Sequence, residues 1–474
     1  VTIRVAELNA VLIFVYLFIR WEDGMKQNYL SHRAYLAAVL VLVALPSSGM
    51  TEESGSQIAA RQSRIVALLD QKYPDLDALY KDLHANPELG FQEKRTARIL
   101  AARMRRLGFA VTDGVGGTGV VAILRNGTGR TIMVRTEMDA LPMEEKTGLP
   151  YASKASQMVD GRRTPVAHSC GHDVHMTSWI GTAEALIAMR DAWKGTLVFV
   201  GQPAEEGGGG AKAMIADGLF TRFPKPEFGF AAHSNNLPAG TLFIKDGTTS
   251  SASDSLEIVF YGRGGHGSMP SATIDPIVIG AHFVTDVQTV ISREKDAAAF
   301  GVITVGVFQA GTTANIIPDE AVVRVNLRSH APEIRSLLRE GVERTAKSSA
   351  MLAKAPPPTI RYLGGAAAVV NDQALVKHIS AALAPVFGSR LTVVPAYLPP
   401  FPASEDYSEF IEAGVPSLYM GVGSFDPAMI ADFKKRGQAL PVNHSPFYAP
   451  QPEPTIRSAV MALTLAVIEV AQPR

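Results

Sequence analysis

The chain has a single cysteine in 474 residues and no surplus of charge, with 45 basic and 45 acidic side chains. One thiol excludes an intrachain disulfide, so nothing in the fold depends on oxidative cross-linking. Balanced charge removes the basic excess that a nucleic-acid or polyanion partner would need. Internal repeats and low-complexity tracts are also missing. No apolar run is long enough to anchor the chain in a bilayer. Residues 11–19 are broken by Arg20-Trp21-Glu22-Asp23, and the run from Ala34 to Leu45 is about a dozen residues, short of the ~20 a spanning helix needs. The glycine run Gly207–Gly210 lacks the Lys-Ser/Thr pair that would follow it in a phosphate-binding loop.

What is present describes a folded protein, 47% apolar and 19% charged, too long for one core. Met25 opens a stretch with Lys26, His32 and Arg33, the apolar run, then Pro46-Ser47-Ser48-Gly49. That order predicts a signal peptide over 25–50, an upstream extension over 1–24, and a periplasmic or secreted enzyme with no lasting membrane anchor. Residues 51–62 are small and polar and read as a linker.

From there, strands and helices alternate. Val120–Leu124, Thr131–Arg135, Thr196–Val200 and Phe228–Ala232 read as strands; Glu93–Leu107 and Met176–Met189 read as helices. The pattern predicts an α/β fold, a sheet-based catalytic domain covered by helices. Near Ser251 the texture changes. Leu256–Tyr261, Val302–Phe308 and Glu320–Leu327 read as strands, with helices over Ile277–Ile291 and Ile334–Lys347. This predicts an inserted α+β domain over 251–362, between catalytic segments 63–250 and 363–474.

The chemistry gathers after the sheet strands. His168-Ser169-Cys170-Gly171-His172-Asp173-Val174-His175 holds the only thiol, three imidazoles and a carboxylate, the donors for borderline-soft divalent ions. Glu137 and Asp139 follow one strand, Glu205-Glu206 another, His233 a third, and His444 a fourth across a long loop. In an open α/β sheet, sites form in the crevice beyond the strand carboxyl ends. Taken singly, His233 or His444 reads as an ordinary polar residue, Cys170 as a small buried hydrophobe, and Asp173 as a helix cap. Five loops converging on one edge point instead to metal. The adjacent glutamates suggest that one binds metal while the other moves a proton for amide hydrolysis.

Several stretches together resemble the amidohydrolase branch of the aminoacylase/carboxypeptidase-like dinuclear metallopeptidases, the hippurate hydrolase and auxin-conjugate hydrolase type. They are His84-Ala-Asn-Pro-Glu-Leu-Gly-Phe-Gln-Glu93, Arg135-Thr-Glu-Met-Asp-Ala-Leu-Pro142, the Cys170 stretch, Gln202-Pro-Ala-Glu-Glu-Gly207, Gly262-Arg-Gly-Gly-His-Gly-Ser-Met-Pro270, Ser404-Glu-Asp-Tyr-Ser408 and His444-Ser-Pro446. The resemblance covers roughly residues 63–470. It implies two divalent ions, zinc or manganese, with cobalt or nickel as alternatives, on Cys170, His172, Glu206, His233 and His444. It implies Glu205 as general base and acid and Asp139 as the carboxylate orienting a ligating imidazole. His266 would hold the oxyanion, in the partner subunit of a homodimer formed through the inserted lid. Asn315 and Arg328 would grip the substrate carboxylate. Two positions depart from the family pattern: Glu137 stands where an Asp is usual, and Ser271 where a His is frequent. The expected reaction is cleavage of an N-acyl amino acid or related amide to a carboxylate and a free amino acid. The alternatives are a small-dipeptide hydrolase on the same machinery and a metal-dependent binding protein without turnover.

Overall fold

The computed structural model describes residues 51–159, 161–207 and 209–471. The signal peptide and upstream extension expected over 1–50 lie outside the described residues. Among the described residues no helix is long and apolar enough to cross a membrane.

The first helix among the described residues, α1 (Thr51–Ala85), takes in the stretch read as a linker, and its buried Ile58, Ile65, Leu69 and Leu76 join the main core. Spacings of four and seven keep apolar side chains on one helical face, and that periodicity outweighs the small polar residues between them. Next come α2 (Lys94–Arg106), a hairpin of β1 (Ala110–Val115) and β2 (Gly119–Asn126), then β3 (Thr131–Glu137). Then follow α3 (His172–Ala188), β4 (Gly195–Gln202), the short α4 (Gly210–Ala216), β5 (Phe228–Pro238) and β6 (Leu242–Lys245).

The inserted domain contains β7 (Ala252–Tyr261), α5 (Pro276–Asp286), β8 (Gly301–Ala310), β9 (Glu320–Ser329), α6 (Pro332–Leu352) and β10 (Thr359–Ala366). The chain then returns through α7 (Gln373–Phe387), β11 (Leu391–Val394), β12 (Ser417–Phe425) and α8 (Pro452–Val470).

The catalytic sheet has eight strands in the order β1-β2-β4-β3-β5-β12-β6-β11. Its centre, β4-β3-β5-β12, is parallel; β1, β2 and β4 pair antiparallel at one side. The central strands are nearly unbroken apolar runs because helices cover both their faces. Helix α3 is buried almost all round, not on one face only, since it packs on the sheet and also against α8. Trp179 on α3 lies against Phe199 of β4 and donates from Nε1 to Val134 O at 3.0 Å.

The lid sheet is antiparallel, in the order β8-β9-β7-β10. Its strand β10 follows directly on Pro356-Pro357-Pro358. Along β7 the side chains alternate: Leu256, Ile258 and Phe260 join Phe283 and Leu338 in a separate core under α5 and α6. Ser253 and Ser255 point the other way, into a cleft.

Candidate active site

Strand β3 leads to β4 on one side, and the chain then crosses β3 to reach β5 on the other. That reversal opens a crevice at the strand carboxyl ends. The loop into α3 crosses it, turning at Gly171, whose φ is +84° and whose missing Cβ would fall 2.3 Å from Ser234 Oγ. Gly171 takes the N-cap position, so His172 and Asp173 stand in the first turn of α3. Asp173 is no cap; its Oδ2 meets His84 Nδ1 at 2.6 Å.

The structure brings Cys170, His172, Asp139, Glu205, Glu206, His233 and His444 together here. Cys170 Sγ lies 3.5 Å from His233 Nε2. His444 Nε2 lies 3.2 Å from Glu206 Oε2, and His172 Nε2 is 3.9 Å from a carboxylate oxygen of both Glu205 and Glu206. Two backbone carbonyls settle which imidazole nitrogens bear hydrogen. His172 Nδ1 faces Asp139 O and His233 Nδ1 faces Ser234 O, each at 2.8 Å. A carbonyl only accepts, so each Nδ1 donates, and each Nε2 is left to face the other donors.

Two groups share Glu206: Cys170, Glu206 and His444, and His172, Glu205 and Glu206; His233 groups instead with Glu137, His172 and His175, and in each group the ligand atoms lie within 4.8 Å of one another. His172 Nε2 and Glu206 Oε1 are buried without a hydrogen-bond partner among the described residues. Buried polar atoms are rarely left unpaired. A lone pair aimed at carboxylates is repulsive unless a cation lies between them. Thiolate, imidazole and carboxylate are the donor set of zinc-like ions, so the residues fit the expected group.

Burial and the crowded carboxylates set the titration of the site. Burial, then the charges of Glu206 and Glu205, push the Cys170 thiol well up. Against burial, Asp139 and then Glu137 raise His172 to about 10, a proton standing in for a metal. Burial, then Glu405 and Glu206, push Glu205 well up.

Asp139 is fully buried, and its Oδ2 accepts from Glu206 N at 2.9 Å. Arg328 lies on the lid strand β9 and lines the same cleft of about 770 Å³ as Glu205. Its Nη1 donates to Ser404 Oγ at 3.2 Å, and no carboxylate pairs with it among the described residues. His266 and Asn315 do not line this cleft. Both are exposed, and they meet each other on the lid, where Gly267 N donates to Asn315 O at 2.9 Å and His266↔Ile316 pair.

Other site residues carried no role in the sequence. Asn443 Nδ2 donates to Cys170 O at 3.2 Å and Ser234 O at 3.3 Å, tying two ligand loops together. His175 accepts from Ser234 N on Nε2 at 2.8 Å, so its Nδ1 donates to Glu137 Oε2 at 3.1 Å. The fully buried Arg135 bonds Glu137, Gln202, Glu405 and Asp406. The pair Glu405-Asp406 repeats the Glu205-Glu206 signature, and that was the available signal.

Residues 133–432 match the sequence profile of peptidase family M20/M25/M40. The chain belongs to this family. Hippurate hydrolase of Campylobacter jejuni is 37% identical over 345 residues, 71% of this chain and 85% of that protein. N-acetylcysteine deacetylase of Bacillus subtilis is 34% identical over 349 residues, 73% and 87% of the two chains. The solved structure of the YXEP protein of Bacillus subtilis, a dinuclear metal-binding peptidase from the M20 family, matches with a TM-score of 0.67 at 28% identity, covering 84% of this chain and 98% of that one. This M20 chain is a metal-dependent amide-bond hydrolase, built as a catalytic α/β sheet domain with an inserted lid.

Proposed function

We propose that this hydrolase cleaves N-acyl amino acids to a carboxylate and the free amino acid. The observation that carries the reading is one cleft lined by Glu205, the donors Cys170, Glu206, His233 and His444, and an arginine with no acidic partner among the described residues. A guanidinium fits a carboxylate bidentately, and burial without a counterion pulls the pKa of Arg328 down, so a substrate carboxylate supplies what it lacks.

Cys170, His172, Glu206, His233 and His444 would hold two divalent ions, zinc or manganese, with cobalt or nickel as alternatives. Bound there, the ions would polarise the acyl oxygen and make water acidic enough to attack at neutral pH. Glu205 takes one proton from the attacking water as the oxygen bonds to the acyl carbon. The carbon–nitrogen bond then breaks, and Glu205 delivers that proton to the departing nitrogen. Asp139 keeps His172 and the Glu206 backbone in place. Arg328 binds the substrate carboxylate; Asn315, which does not line this cleft, could reach one only from a second copy, as His266 would.

Exposed Val302 and Phe308 on edge strand β8, with Ile277 and Val278 on α5, support a homodimer through the lid. In that assembly His266 of a second copy would hold the oxyanion. The periplasmic or secreted destination rests on residues 25–50 alone, and N-terminal sequencing of exported protein tests it.

The deciding experiment is Glu205→Gln, assayed on N-acyl amino acids beside dipeptides, with metal content measured. Loss of turnover with metal retained is expected; near-full activity refutes the mechanism. Turnover of dipeptides alone would replace the substrate class, and a wild-type protein that binds metal but turns over neither would be a binding protein.

A further inference from the structure

Glu93 is fully buried and does not do the work its position suggests. It stands at the N-cap of α2, yet its side chain makes no capping bond. Glu88 supplies the cap, accepting from Arg95 N at 3.0 Å and Thr96 N at 2.7 Å. The Glu93 carboxyl turns inward instead. Its Oε1 accepts from Ala204 N at 2.8 Å, and its Oε2 accepts from Thr118 Oγ1 at 2.5 Å. Burying a carboxylate is unfavourable. Here burial raises its pKa to about 7 even though both hydrogen bonds oppose the shift.

Ala204 immediately precedes Glu205. It is buried, and its φ of +45° puts a non-glycine residue in left-handed backbone. Such a conformation persists only when its surroundings over-determine it. The neighbours of this turn leave it little freedom. A Cβ on Gly210 would fall 1.6 Å from Pro203 O, and Glu206 N is held by Asp139 on the far side of Glu205. Glu93 therefore clamps one side of Glu205 as Asp139 clamps the other, from a helix that contributes nothing else to the cleft.

We propose that Glu93 is a positioning residue: through the Ala204 N–H it locks the left-handed turn that aims Glu205 into the cleft. It touches neither substrate nor metal, and the proposal rests on Glu205 being the base.

Glu93→Ala is expected to lower kcat roughly 10- to 100-fold, the scale for a misplaced catalytic group, with KM and bound metal close to wild type. Glu93→Gln keeps an acceptor for Ala204 N and a donor for Thr118, and restores most of kcat. Ala204→Gly removes the strain, so Glu93→Ala/Ala204→Gly recovers part of the loss, which a role in bulk stability would not produce. Wild-type kcat in Glu93→Ala, equal damage in Glu93→Gln, or no recovery in the double variant would each overturn the proposal. If Glu93→Ala is insoluble, Glu93→Asp replaces it: the shorter side chain should lower kcat, and a wild-type rate again overturns the idea. Glu205→Gln is run alongside. Activity there removes the base itself, whereas an inactive Glu205→Gln beside a fully active Glu93→Ala removes only the role of Glu93.

Discussion

Arg135→Met tests whether the site is held from beneath by one buried cation. The Arg135 guanidinium donates to Gln202 Oε1 at 2.8 Å, Glu405 Oε1 at 2.8 Å and Asp406 Oδ1 at 3.2 Å, and also bonds Glu137. Methionine keeps much of the apolar stem but leaves three carboxylates with no counter-charge. Removing one partner from a buried ion pair costs about 3–5 kcal/mol. With an unfolding entropy of about 2.1 cal/mol/K per residue over the unit that begins at Gly55, a loss of about 4 kcal/mol lowers the melting midpoint by about 4–5 °C.

The pH dependence has a definite sign. Burial works to raise Glu137, but Arg135 and then His175 hold it well below the usual carboxylate range. That contribution is present above the unfolded pKa and is lost as pH falls through the folded one. Without Arg135, burial prevails and the folded pKa rises above the unfolded value. The group then stabilises only in acid, and that contribution is lost as pH rises through the folded pKa. The wild-type contribution is already full at pH 5, so it is the raised folded pKa in the variant that makes its deficit larger near pH 8 than near pH 5. Thermal melts of metal-free wild type and variant at the two pH values measure it. An unchanged midpoint, or a deficit independent of pH, refutes the account.

Arg328→Met should raise KM roughly 10- to 100-fold, since a charge-assisted hydrogen bond is worth about 1.5–3 kcal/mol. Substrates with an amidated carboxylate should be insensitive to the change, and an unaltered KM for the acid would dismiss Arg328 as the grip. Chelation should lower the melting midpoint reversibly, because ions at a hundredfold over Kd stabilise by about 2.7 kcal/mol; identical melts with and without chelator would count against the donor set.

Much of the site was legible because metal donors are rare side chains in short, recognisable groups. Cys170-x-His172 and Glu205-Glu206 needed only adjacency along the chain. Strand interiors such as Thr196–Val200 were legible for a similar local reason: a short apolar run bounded by turns. The short strands β6 and β11 were missed because four residues give too little periodicity to separate from loop. The stretch 51–62 was misread because its few apolar residues count only once α1 packs on the core.

The amino-acid sequence alone determined the chemistry of this protein: which donors exist, that an α/β sheet would bring them to one edge, and that a lid interrupts the sheet domain. Only the tertiary structure decided how the donors are held. Arg135 stands 270 residues from Glu405 and 271 from Asp406 in the chain, yet the three meet in one buried cluster. Glu93 reaches Ala204 across 111 residues. No local pattern encodes such contacts, because they arise from long-range packing. The same packing leaves His266 and Asn315 exposed on the lid, outside the cleft, and places Arg328 in the cleft.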